Sequence, residues 1–168
     1  MRLFIAVNFN EEMKKALLNI QQQFRENNIR GNYTKPENLH LTLAFIGEYG
    51  DPGHVLDVLS DVDIRPFTLR TDRVGSFGKL WWAGIAVSGE LQRLTAQIRR
   101  RLADADIPFD RKKFSPHITL IREPDRHTIP EISVPEASMT AEKITLMRSD
   151  RGRNGMIYTA LGGTGYVR

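Results

Sequence analysis

Leu39-His40-Leu41-Thr42-Leu43-Ala44-Phe45-Ile46-Gly47 and Phe114-Ser115-Pro116-His117-Ile118-Thr119-Leu120-Ile121-Arg122 carry one short phrase, His-apolar-Thr-Leu, in two separate parts of the chain. In an extended strand successive side chains point to opposite faces. His40 therefore shares a face with Thr42, and His117 with Thr119, while Leu41, Leu43, Ile118 and Leu120 turn the other way, toward a core. Each phrase predicts a strand with one apolar face and one polar face bearing an imidazole beside a hydroxyl.

Working outward from the first phrase, Leu3–Val7 is an apolar run of strand length. Asn10 follows as a helix N-cap, and Glu11 and Glu12 put negative charge at the positive end of the helix dipole. Met13 stands where a capping box would want Glu or Gln. Met13, Ala16, Leu17, Ile20 and Phe24 recur at helical spacing, which predicts a helix from Glu11 to about Asn27. A short helix is expected around 54–62, strands over 67–74 and 80–87 separated by Gly75-Ser76-Phe77-Gly78, and a helix opened by Ser88-Gly89 with Leu91, Leu94, Ile98 and Leu102 as its apolar stripe. The second phrase is strand-like, and further strands are expected over 141–148 and 156–161. The order strand, helix, His-x-Thr strand thus occurs twice, suggesting two similar lobes across a cleft. No linker divides the chain, so residues 1–168 read as a single α+β domain of two packed lobes.

Composition excludes several chemistries. The chain has no cysteine, which removes disulfides, thiol nucleophiles, zinc–thiolate sites and iron–sulfur clusters. No segment reaches the length of a membrane span, and a cytoplasmic protein is expected. The net charge of +4 and a pI near 9.6 favour polyanionic partners.

Two histidines and two threonines suit phosphodiester chemistry. Opening a cyclic phosphate needs a base for the attacking water and an acid for the departing ribose oxygen, and imidazoles fill both roles near neutral pH. Threonine hydroxyls can donate to the non-bridging oxygens. A single His-x-Thr in a strand usually means a half-buried side chain with a local hydrogen bond; two matched copies point to function. A metal site ranks lower, because the phrases offer neither carboxylate nor cysteine and His54 and His127 have no ligand-like spacing to them. No metal and no cofactor are expected.

With these motifs in place, the sequence resembles the 2H phosphoesterase superfamily, and within it the RNA 2′,3′-cyclic phosphodiesterases, also called 2′-5′ RNA ligases. The resemblance runs over nearly the whole chain and includes the opening Arg2-Leu3-Phe4-Ile5-Ala6-Val7. It implies a bilobal, pseudo-two-fold fold in which two antiparallel sheets line a central groove with helices outside. It implies hydrolysis of a terminal RNA 2′,3′-cyclic phosphate to a 2′-phosphate, with ATP-independent 2′-5′ ligation as the related reaction. It assigns His40 as proton donor and His117 as proton acceptor, roles that the near-symmetry of the motifs leaves exchangeable. RNA with a 2′,3′-cyclic phosphate end is the implied partner, and a monomer is expected.

Five residues beyond each histidine stand Phe45 and Arg122. The resemblance implies that these meet the terminal nucleoside, an aromatic face opposite a guanidinium. Strict alternation places both on the core face, so a bulge or strand end must re-aim them. Of Trp81 and Trp82, one is expected in the core and one on a lobe rim. Arg99-Arg100-Arg101 reads as a solvated helix end, Arg111-Lys112-Lys113 as a candidate for RNA contact, and Arg148, Arg151 and Arg153 as cations around a turn. Gly162-Gly163-Thr164-Gly165 reads as a terminal turn, and His54 and His127 as surface histidines. Two rival readings are a phosphodiesterase for small cyclic nucleotides or ADP-ribose cyclic phosphate, and a non-catalytic binder of RNA ends.

Overall fold

The apolar run after Arg2 forms β1 (Arg2–Asn8), and Asn10 then accepts the Met13 N–H at 2.9 Å to start α1 (Glu11–Glu26). The described residues, 1–166 in this computed structural model, continue through β2 (Asn32–Tyr33), β3 (His40–Glu48), α2 (Pro52–Ser60), β4 (Phe67–Phe77), β5 (Leu80–Ile85), α3 (Gly89–Asp104), β6 (His117–Arg122), β7 (Ser138–Ala141), β8 (Lys143–Gly152) and β9 (Gly155–Gly165). Asp51 caps α2 and Ser88 caps α3 through side chains that accept the N–H of His54 and Leu91. The strands form two sheets, in the orders β3-β1-β8-β9 and β2-β6-β5-β4-β7. Every strand pairing among the described residues is antiparallel.

The two halves repeat one plan. β1 and β3 are antiparallel neighbours joined through α1, and β5 and β6 are antiparallel neighbours joined through α3. The helices, however, are exchanged. α1, which leaves the four-stranded sheet, packs on β6 and β7 of the five-stranded one; α3, which leaves the five-stranded sheet, packs on β3, with α2 beside it on β9. Phe24 of α1 meets Trp81 of β5 edge-on, with ring centroids 5.2 Å apart. The buried side chain of Gln21 donates to the carbonyls of Thr34 and Leu120, both at 2.9 Å. One apolar cluster consequently takes Leu3, Ile5, Leu41 and Leu43 from the first sheet together with Trp81, Ile118, Leu120 and Ile121 from the second.

Three expectations are corrected. The strand expected over 141–148 is two: β7 pairs with β4 in the five-stranded sheet, and after Glu142 the chain enters the four-stranded sheet as β8. A hydrophobic run alone does not show where a chain changes sheet. Gly75, Ser76 and Phe77 belong to β4, and only a tight turn at Gly78, with φ of +56°, separates it from β5. The glycine-rich 162–165 segment is strand, not turn: it pairs antiparallel with Lys143–Leu146 of β8, and α2 lies against β9. A Cβ on Gly162, at φ of +152°, would stand 3.0 Å from Leu56, and one on Gly163 would meet the Ile144 carbonyl.

Replacing Gln21 by Leu should take the donor from the Thr34 carbonyl, at a cost of about 1–3 kcal/mol, while the buried Leu120 carbonyl keeps the Thr34 N–H at 2.9 Å. Urea denaturation should show a loss of about 1–3 kcal/mol with an unchanged m-value.

Candidate active site

The two His-x-Thr strands are bent by the same irregularity at the same place. Along β1 and β3, Ala6 pairs with Thr42 and Ile5 with Ala44, so Leu43 is the extra residue. Along β5 and β6, Trp82 pairs with Thr119 and Trp81 with Ile121, so Leu120 is the extra residue. Each strand therefore buries two consecutive side chains, Leu43 with Ala44 and Leu120 with Ile121. The alternation changes phase there. Phe45 and Arg122 come round to the face of His40–Thr42 and His117–Thr119, which removes the conflict that strict alternation posed. Phe45 joins Phe4, Ala6, Met147 and Tyr158 in a small apolar cluster on that face.

The imidazoles are held in matching ways. His40 Nδ1 lies 2.7 Å from the Asn38 carbonyl, and His117 Nδ1 lies 2.7 Å from the Ser115 carbonyl. A carbonyl can only accept, so each ring donates from Nδ1 and turns Nε2 outward from the strand. His40 Nε2 meets Thr42 Oγ1 at 2.9 Å. β3 runs beside β6, the contact that brings the histidine strands of the two sheets together. The rings are close enough for the charge of His117, and that of Arg122, to act on His40. Burial first, and then the Arg122 guanidinium and any charge on the His117 ring, hold His40 below the ordinary histidine range, against the opposing pull of the Asn38 carbonyl.

Aromatic rings wall both histidines, a feature legible only once the sheets are folded. His40 lies 4.8 Å from Phe4 and 5.2 Å from Tyr158, centroid to centroid, the second contact edge-on. Tyr158 arrives there because the four-stranded sheet curls: Asn38 Nδ2, next to β3, donates to the Met156 carbonyl of β9 at 2.9 Å. His117 lies 5.0 Å from Phe77 and 6.3 Å from Trp82. Phe77 is 48% exposed, a large apolar surface at the groove. The signal for Phe77 and Tyr158 in the sequence was only their strand parity, which needs the pairing register to be read.

The remaining candidates distribute as follows. Arg122 is exposed, and among the described residues no ion pair occupies it. Phe45 is half-buried, with the Arg2 guanidinium 5.0 Å over its ring. Trp81 is in the core as expected. Trp82 is also buried, beneath Phe77 on the groove side instead of on a rim, with its Nε1 lacking a partner. Arg148 pairs with Asp150 at 2.9 Å. His127 is exposed, whereas His54 is half-buried and bonded through Nδ1 to the Tyr49 hydroxyl at 2.9 Å. Among the described residues, no three His, Cys, Asp or Glu side chains are grouped so as to hold a metal ion, and no helix is long and apolar enough to cross a membrane.

Comparison with known proteins gives a consistent result. A family model described as the 2′-5′ RNA ligase superfamily matches residues 14–153. The chain is 33% identical to an RNA 2′,3′-cyclic phosphodiesterase of Thermus thermophilus, over 96% of this chain and 88% of that one. It is 28% identical to a protein of the same name from Thermotoga maritima, over 96% and 93%. Among solved structures, E. coli LigT in its apo form superposes with a TM-score of 0.82 at 25% identity, covering 98% of this chain and 96% of that one. A structure from Thermus thermophilus superposes with a TM-score of 0.79 at 30% identity, covering 98% and 97%.

The cationic depression of His40 predicts the effect of removing Arg122. In Arg122→Gln, the His40 imidazole should titrate at higher pH than in the parent protein, followed by NMR of its ring carbon proton. An unmoved or lowered titration would mean that the guanidinium does not act on this ring.

Proposed function

The chain belongs to the 2′-5′ RNA ligase superfamily, and from that premise we propose that it opens terminal 2′,3′-cyclic phosphates on RNA with His40 as proton donor and His117 as proton acceptor. The observation that carries the reading is the matched pair of clamped rings. Each Nδ1 is committed to a carbonyl of its own chain, and so each imidazole offers one atom, Nε2, for proton transfer. The enzyme is a hydrolase that leaves a 2′-phosphate.

The step follows from these atoms. His117 Nε2 takes a proton from water as its oxygen attacks phosphorus. The bond from phosphorus to O3′ breaks, and His40 Nε2 delivers a proton to O3′. Thr42 and Thr119 donate hydrogen bonds to the non-bridging oxygens, where charge shifts during attack. A 5′-hydroxyl in place of water gives a 2′-5′ linkage; the cyclic ester supplies the bond energy, so no ATP is consumed. Phe45 and Arg122 take opposite sides of the terminal base, where stacking tolerates any base identity.

In the free protein His40 is held toward neutrality, but a proton donor must be charged. The anionic phosphate supplies the correction: a full charge at about 4 Å contributes about 4 kcal/mol at an effective dielectric of 20. Substrate thus recruits the proton it needs. We place the protein in the cytoplasm, where its lack of cysteine suits a reducing milieu, and read it as one two-lobed unit acting on RNA ends.

With an oligonucleotide ending in 2′,3′-cyclic phosphate, turnover should persist in EDTA and yield a 2′-phosphate. His40→Ala and His117→Ala should each lower kcat by about 10²–10⁴-fold, and Thr42→Val or Thr119→Val by less. Near-parental turnover in either histidine variant would remove that residue from the mechanism. Wild-type kcat/KM should be bell-shaped in pH, which a protein that only bound RNA ends would not produce.

A further inference from the structure

Two basic runs that are separate in sequence meet outside the groove. Arg99, near the end of α3, and Arg111, in the loop that follows, both stand over Phe109, with guanidinium carbons 5.8 and 4.5 Å from the ring centroid. Arg99 Nη1 donates to the Lys112 carbonyl at 2.7 Å, fastening the helix to the loop. With Arg100 and Ala103 these residues line a hollow of about 290 Å³. Asp110, the carboxylate within the loop, is turned back onto the Lys112 N–H at 3.0 Å. Among the described residues, no ion pair involves Arg99, Arg100, Arg111, Lys112 or Lys113, while Lys79 and Arg148 are paired with Glu123 and Asp150. Arg99 Nε is buried with no hydrogen-bond partner. Cations gathered without counter-charges repel one another, so the arrangement stores attraction for a polyanion.

The location ties this patch to the groove. The Asp110 N–H donates to the Phe45 carbonyl at 2.8 Å, which caps the free edge of β3 at the residue whose ring faces the groove. The same loop runs on to Ser115, whose carbonyl holds His117. From Arg111 to His117 the backbone can span at most about 20 Å, so the patch lies within a few nucleotides of the histidines. A strand whose 3′ end sits between the histidines must leave the groove, and at this edge unpaired guanidiniums and an aromatic ring await it.

We propose that Arg99, Phe109 and Arg111 form a second subsite, which holds the backbone phosphates of the substrate RNA upstream of its cyclic end. The inference rests on the RNA-end reading above and adds where the body of the strand binds. Stacking on Phe109 orients the two guanidinium forks, and forks so fixed accept a phosphate in bidentate fashion at reduced entropic cost. Because phosphates and not bases are read, binding is indifferent to upstream sequence and sensitive to salt.

The test compares a 2′,3′-cyclic mononucleotide with an RNA octamer ending in 2′,3′-cyclic phosphate, for wild type, Arg111→Gln, Phe109→Leu and the double variant Arg99→Gln/Arg111→Gln. Circular dichroism and thermal melting check that each variant folds; Arg111, exposed in its loop, provides the variant least able to disturb packing. The mononucleotide kcat/KM should be unchanged throughout. The octamer kcat/KM should fall through KM, by on the order of tenfold in the double variant, and its log–log salt slope should become shallower by about 0.7 per cation removed. Equal losses on both substrates, or no loss on the octamer, would overturn the subsite. If wild type turned over neither substrate, the catalytic reading would fail separately, and fluorescence anisotropy with a 3′-phosphorylated octamer would still decide the patch: weaker binding by Arg111→Gln supports it, equal binding refutes it.

Discussion

The site depends on one backbone constraint, the extra residue that follows each His-x-Thr. A bulge interrupts the ladder and must be compensated by what it buries. Here it sends Leu43 with Ala44, and Leu120 with Ile121, into the shared apolar cluster. Full burial of a leucine or isoleucine side chain is worth about 1.5–3 kcal/mol, so the core itself holds the irregularity in place. Before the bulge the groove face carries an imidazole and a hydroxyl; after it, Phe45 in one strand and Arg122 in the other. Packing thus sets the order of chemical groups along the groove, and the mirrored positions of the bulges give the two sheets their correspondence.

The exchange of helices ties the two sheets to each other. Were each sheet covered by its own helix, neither helix would join one half to the other. Instead α1 reaches back across to β6 and α3 to β3, so each histidine strand is backed by the helix of the other half. Gln21 makes the link specific. Its amide bonds the Leu120 carbonyl, at the bulge residue of β6, and the Thr34 carbonyl two residues before the turn that leads toward His40. One buried side chain of α1 thereby ties the approach to the first motif to the middle of the second.

How much of this was legible in the sequence follows from range. Alternation over a few residues placed His40 with Thr42 and His117 with Thr119, and caps at Asn10 and Ser88 began both long helices where expected. The phase change at Leu43 and Leu120 was not legible, because Leu-Ala and Leu-Ile pairs fit a strand end as well as a bulge; only the partners' registers distinguish them. The same limit hid Tyr158, which reaches His40 through the curl of a sheet closed by Asn38 on Met156, and Phe77, whose place beside His117 is set by the β4–β5 register. The crossing at Glu142 was invisible for a related reason: a single residue separates β7 from β8, with no Gly or Pro to mark the break, and only the strands they pair with tell them apart.

Symmetry of the backbone does not make the two imidazoles equivalent, and the difference bears on the proposed division of labour. His40 Nε2 is engaged by Thr42 and its ring is enclosed by Phe4 and Tyr158. His117 Nε2 has no protein partner among the described residues, and its ring stands beside the exposed Phe77. A base must meet a water or 5′-hydroxyl arriving from solvent, which suits the open ring. A proton donor must reach an oxygen already fixed in the substrate, which suits the enclosed one. Enclosure also lowers the proton affinity of His40, and in the proposed mechanism the arriving phosphate anion would raise it again and so favour the charged form. Two rings written with one motif thus differ in enclosure and in partners, a difference that the fold and not the motif imposes, and it is this difference that supports the proposed division of roles.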